Sequence, residues 1–230
     1  MKKLLAFTLA ETLIVIGIIG VVSALTLPNL NSSTGEKEKV AKVKKIYQNL
    51  DDAIGRAVAV YGPVDEWFVN DTTVDAQVAR FKNRVTEFMK VSKDCGISTG
   101  CWSTKPYYLV YGSDEHESNF YEGSRHYLSS QFVILADGTA LAVGSNGYLK
   151  IHVDIDGPNK GQTKDGVDIF HFELMDNVFV PDSRNSRRTG NLAISNNFSQ
   201  NMTAWVIYNE NMDYLKCMNE LNWETKTTCK

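Results

Sequence analysis

Residues 7 to 27, FTLAETLIVIGIIGVVSALTL, hold 14 apolar side chains in 21 positions and a single ionisable one, Glu11. Nothing later in the chain resembles this run, so any fold must find a place for it. As a helix rising about 1.5 Å per residue it would extend roughly 31 Å, which matches a hydrocarbon core of about 30 Å. Twelve of its residues are Leu, Ile, Val or Phe. Each favours insertion by roughly 0.3 to 0.6 kcal/mol against roughly 3 for a central acid, and Glu11 lies near one end. The run therefore predicts a transmembrane helix. Lys2 and Lys3 precede it, and the positive-inside tendency keeps that end cytoplasmic and sends residues 29 to 230 outward. The location expected is a single pass through the membrane with a cytoplasmic N-terminus.

The rest of the chain has the composition of an ordinary globular domain. With 43% apolar and 10% aromatic residues it can bury a sizeable core, which excludes disorder throughout and any collagen-like or low-complexity class. The balance of 24 basic and 27 acidic residues gives a net charge of −3. Neutralising phosphates needs a clustered basic surplus, so no specific nucleic-acid partner is expected. The one basic cluster outside the first helix, Arg184, Arg187 and Arg188, reads as a solvated loop.

Past the apolar run, Val40, Val43, Tyr47, Leu50, Ile54, Ala57 and Tyr61 recur at spacings of three and four, one apolar stripe on a helix. Pro28 and the cluster at 31 to 35 predict a break or kink before it. A further helix is predicted over about 74 to 91, from Val74, Val78, Phe81, Val85, Phe88 and Met89. Then the period shortens. Tyr-, Val-, Phe- and Ile-rich runs at 106 to 111, 127 to 143, Tyr148 to Val153 and Ile169 to Leu174 predict an antiparallel meander, with Asp137-Gly138 as a hairpin turn. A polar loop over 182 to 201 and a short helix near 204 to 221 follow. The fold class expected is α+β: a long N-terminal helix, its first half transmembrane, packed on an antiparallel sheet.

Ala6-Phe7-Thr8-Leu9-Ala10-Glu11, behind a short basic leader, resembles the processing signal of type IV pilins and type II secretion pseudopilins. In that family the leader is cut before a Phe or another hydrophobic residue, the new amino terminus is methylated, and mature positions two and five are Thr and Glu. Phe7, Thr8 and Glu11 match in place, and Pro28 falls where the family carries a helix-loosening proline. Ala6 stands where the family nearly always has Gly, and Ala10 and Thr12 replace larger aliphatics. The resemblance covers residues 1 to about 60. It implies a leader at 1–6, a transmembrane and filament-core helix at 7–27, its second half at 28–61 and an extracytoplasmic domain at 62–230. It also implies cleavage and methylation at Ala6 and Phe7, and a pairing of Glu11 with the Phe7 amino group of a neighbouring subunit. The partners implied are a prepilin peptidase, other subunits and an inner-membrane assembly platform; the location is the inner membrane, then a pilus or periplasmic pseudopilus. Two alternatives stand beside it: a membrane-tethered binding module that never polymerises, and a secreted protein cleaved after Ala24.

Four cysteines allow three pairings. Closeness along the chain favours Cys95 with Cys101 and Cys217 with Cys229, in a compartment where disulfides persist. The only ligand-like cluster is DIDGPNKGQTKDGVD at 154 to 168, whose oxygen donors suit a hard cation on a bendable loop. Asp154, Asp156, Asn159 and Asp168 are the best calcium ligands there, against a reading as a solvated strand connection made of turn formers; the resembled pseudopilins can carry a calcium loop in this region. His116, His126, His152 and His171 lack a ligand spacing and read as separate surface or strand histidines. Nucleophile-elbow, phosphate-loop and zinc-protease motifs are absent from the sequence, so no enzyme is expected.

Overall fold

The structure, a computed structural model, describes residues 9–98, 100–104, 107–108, 115–116, 130–145, 148–181 and 198–229, with side chains for all of these except 23–33, 107–108, 115–116 and 198–201. Two compact units make up the chain, Met1–Glu38 and Lys39–Lys230. The helix α1 (Leu9–Tyr61) contributes to both. Its backbone is helical through 31 to 35, so the expected break there is not found. Residues 39–61 belong to the globular unit, and their apolar side is part of its core.

The membrane half of the expected fold is overturned. Among the described residues no helix is long and apolar enough to cross a membrane. A span requires roughly 20 consecutive apolar residues and 30 Å, and no described helical segment meets both. The single-pass inner-membrane location falls with it. The α+β class and the antiparallel sheet stand.

In the second unit α1 buries Val40, Val43, Ile46, Leu50, Ala53, Ile54 and Ala57, the stripe that the three-and-four spacing marks. The helix α2 (Val74–Thr86) begins where Thr73 accepts the Ala76 N–H at 3.2 Å, an N-cap that satisfies one of the open backbone donors. It ends five residues before the expected limit, and β1 (Val91–Gly96) follows. Two short strands, β2 (Tyr107–Tyr108) and β3 (Glu115–His116), pair with each other. The meander is β4 (Ser130–Leu135), β5 (Ala140–Ser145), β6 (Leu149–Asp154), β7 (Ile169–Met175) and β8 (Val178–Pro181), and the six-stranded antiparallel sheet has the order β1-β4-β5-β6-β7-β8. Between β4 and β5 the chain turns at Asp137-Gly138, where Gly138 takes φ of 90° and Thr139 N–H bonds the Asp137 carboxylate. The helices α3 (Phe198–Asn209) and α4 (Tyr214–Cys217) complete the chain.

Alternation along the strands separates two faces. Val133, Leu141, Val143, Ile151, Val153, Phe170 and Phe172 join α1, α2 and α3 in the main core, with Tyr47 stacked on Phe172 at 5.7 Å. On the other face Phe132, Ala140, Ala142 and Ile169 pack with Trp102 and Cys101. The same face carries Lys150, His152 and Asp154 on β6 and His171 and Glu173 on β7, all at most 8% exposed.

Candidate functional site

Two places concentrate side chains that the core does not use. The first is the start of α1. Leu9, Leu13, Ile14, Val15, Ile16, Ile18, Ile19, Val21 and Val22 are each 51 to 80% exposed. At about 100° per residue these positions surround the helix, so this stretch is apolar on every side, unlike a helix with one buried stripe. Glu11 is the one ionisable side chain of this stretch. Ala6 and Phe7, the expected processing residues, lie outside the described residues, as do His126, Arg184, Arg187 and Arg188; of His116 only the backbone is described.

The second place is the connection from β6 to β7. Asp154, Asp156 and Asp168 are brought together there, and each carboxylate is turned to closing the loop. Asp168 accepts the N–H of Gln162, of Thr163 at 3.0 Å and of Lys164 at 2.7 Å. One oxygen of Asp154 accepts the N–H of Gly157 at 2.9 Å and Asp156 at 3.1 Å, while its other oxygen is buried without a hydrogen bond. Asp156 pairs with Lys42 at 3.3 Å and Lys39 at 3.4 Å from α1, and Lys39 also bonds the Val167 carbonyl at 3.0 Å. Asn159 turns the chain in the left-handed region at φ of 64°. Gly161 must be glycine twice over: its φ is 61°, and a Cβ would overlap the Asp168 carboxylate.

Burial, and then the charge of Asp168, push the Asp154 carboxyl up to about 7, against the lowering effect of its two backbone donors. Among the described residues no group of three or more His, Cys, Asp and Glu side chains could hold a metal ion. Among the described residues the calcium ligands expected at Asp154, Asp156, Asn159 and Asp168 are therefore not assembled as a metal centre: two lysines and five backbone N–H groups engage every carboxylate oxygen of the three aspartates except Asp154 Oδ2.

Cys95 is bonded to Cys101 and Cys217 to Cys229, the two pairs that chain proximity favours. Cys101 anchors the small cluster around Trp102, and the Cys229 N–H bonds the Asp213 carboxylate at 2.7 Å, which ties the tail to the turn before α4.

Residue-by-residue inspection of the histidines misses one grouping entirely. His152 and His171 face each other across β6 and β7, and Asp165 meets the far side of His171. The only trace of this in the sequence is that each histidine alternates with core residues of its strand, Ile151 and Val153 or Phe170 and Phe172. No known protein family, curated protein or solved structure matches the chain.

Proposed function

We propose that this chain is a structural subunit of a pilus or secretion-pseudopilus filament, trimmed by a prepilin peptidase between Ala6 and Phe7 and polymerised through its N-terminal helix. The observation that carries this reading is the ring of nine exposed aliphatic side chains from Leu9 to Val22. Burying a large aliphatic side chain stabilises by about 1.5 to 3 kcal/mol when complete. Nine that are half to four-fifths exposed therefore represent a driving force on the order of 10 kcal/mol, enough to offset the several kcal/mol lost when subunits associate. A helix that is apolar all round is covered only when neighbours pack on every side, and a helical filament with such helices at its centre does this. Each added subunit buries its own ring and that of its neighbours.

Glu11 supplies register in this scheme. A carboxylate in an apolar core is costly unless paired, and the amino group released at Phe7 of an adjacent subunit is the matching cation. Replacing Glu11 by Leu should leave the Lys39–Lys230 unit folded and abolish filaments, and Glu11→Gln, which keeps shape and loses charge, should do the same. Sheared filaments measured by sedimentation read the outcome; wild-type yield from both variants removes the pairing. The reading as a whole is tested by sequencing the amino terminus of the mature protein. N-methylated Phe7 is the expected result. A chain beginning at Leu25 or at Met1 overturns the filament reading.

A further inference from the structure

The histidine grouping on the face of the sheet away from α1 has a proton count built into it. His152 and His171 are directly opposite in the β6–β7 ladder and 2% and 3% exposed. Their rings meet edge to face with centroids 4.6 Å apart, and the two Nδ1 atoms are in hydrogen-bond contact. His171 Nε2 lies 2.6 Å from Asp165 Oδ1, on a carboxylate with 1% side-chain exposure.

Two facing ring nitrogens share one hydrogen, because a donor must meet a lone pair. Two states satisfy the chain. In one, both imidazoles are neutral: His171 donates through Nε2 to Asp165 and accepts at Nδ1 from His152. In the other, His171 is a cation that donates through both nitrogens, to Asp165 and to His152. A second added proton has no such solution. It sets N–H against N–H across the ring contact and two positive charges side by side where the rings are only 2% and 3% exposed. We propose that the Asp165–His171–His152 chain is an acid-sensitive pin between β6 and β7, which holds at most one positive charge and opens when the second imidazole is protonated.

The surroundings determine what else titrates there. On β6, His152 is flanked on its own face by Lys150 and Asp154; on β7, His171 is flanked by Ile169 and Glu173. Lys150 and Glu173 are paired at 3.4 Å and offset each other. The β6–β7 connection contributes Asp165, and Asp168 beyond Asp154. Facing strands β5 and β4 present Ala142 and Phe132, and α3 presents Thr203, whose hydroxyl accepts the His171 backbone N–H at 2.8 Å; none of these titrates. Among the described neighbours, Asp154 has a carboxyl that burial holds protonated up to about pH 7, so its charge also changes over this range. It acts in the opposite sense, since its ionisation disfavours the fold as pH rises.

The test is urea unfolding of the full chain between pH 5 and pH 8, in wild type, His152→Asn, Asp154→Asn and the double variant. Asparagine places a non-titrating amide where the His152 Nδ1 stood and keeps the contact to His171. Below the ordinary histidine value of about 6.5, the unfolded wild-type chain binds one proton that the folded pin cannot accept. Relative to His152→Asn, the wild-type unfolding constant should therefore rise about tenfold per pH unit from pH 6.5 towards 5, with or without Asp154→Asn. Parallel curves for wild type and His152→Asn in both backgrounds overturn the pin. Should the asparagine variant fail to fold, histidine 15N shifts of the wild type decide instead. The pair should take up at most one proton while the chain stays folded, and full protonation of both imidazoles in the folded protein overturns the proposal.

Discussion

Two stretches of α1 differ in what covers them. From Leu9 to Val22 nine large aliphatic side chains stand exposed on all sides of the helix. From Lys39 to Tyr61 the aliphatics occupy mainly one side, where Val43, Leu50, Ala53 and Ala57 are fully buried, while Lys45, Asp51, Asp52, Arg56 and, near the end, Val60 face outward. An apolar residue is stabilised by whatever removes it from water. For the second stretch that is this chain's own sheet, and for the first it is, in the filament reading, other copies of the chain. The contrast teaches that apolar content alone does not say who the neighbour is; the arrangement of charges around the helix does.

The comparison breaks most visibly if both stretches respond alike to truncation. Leu50→Ala should cost about 2 to 5 kcal/mol of folding stability, through lost burial and the cavity left behind. Ile16→Ala should leave the stability of the Lys39–Lys230 unit unchanged and reduce filament yield. Urea unfolding paired with sedimentation separates the two, and a matching loss of stability from Ile16→Ala would merge the stretches into one core.

The second stretch also reaches the β6–β7 connection through Lys39 and Lys42, so the chemistry of that loop sharpens the contrast. Asp154 holds its proton in the fold to about pH 7, whereas in the unfolded chain it loses it near the ordinary 3.8. A raised value means stability that is complete below about pH 4 and declines as pH climbs through 7. Asp154→Asn should therefore stabilise the protein by at most about 4 kcal/mol at pH 8, and by under about 2 kcal/mol at pH 5. Equal effects at the two pH values would show that the carboxyl titrates as if exposed.

Lys39→Met should cost about 1 kcal/mol, the worth of a part-exposed ammonium that bonds one carbonyl and one carboxylate. A neutral result would mean that Lys42 alone holds Asp156. The smallest effect is expected from calcium. With all but one of the loop's carboxylate oxygens engaged by lysines and backbone N–H groups, millimolar calcium or a chelator should leave the melting temperature where it is. A rise of several degrees with calcium would reinstate an ion through mass action.

Much of the fold was legible because its signals are local. The three-and-four spacing from Val40 to Ala57 marks the buried side of a helix wherever that helix ends up. Asp137-Gly138 makes a turn because Gly138 can adopt a positive φ. The cysteine pairs are close enough in sequence that short loops bring them together. The strand β1 was missed because VSKDCG, with its mixed burial, lacks the two-residue alternation that marks a strand facing one core. The transmembrane expectation came from summing apolar residues over a 21-residue window. Such a sum records how unfavourable water is for the segment; it does not record what replaces the water.

By itself, then, the sequence determined the periodicities: where a helix has one apolar side, where it is apolar all round, and where glycine or aspartate must turn the chain. These follow from bond rotation and side-chain spacing, which act over a few residues. Tertiary structure alone decided the register between β6 and β7, which sets His152 against His171 although 19 positions separate them, and the closure of the loop carboxylates by lysines from a helix more than a hundred residues earlier. The reason is physical: burial and proton sharing depend on distances in space, and a strand shifted by one residue would have turned each of these side chains to the opposite face.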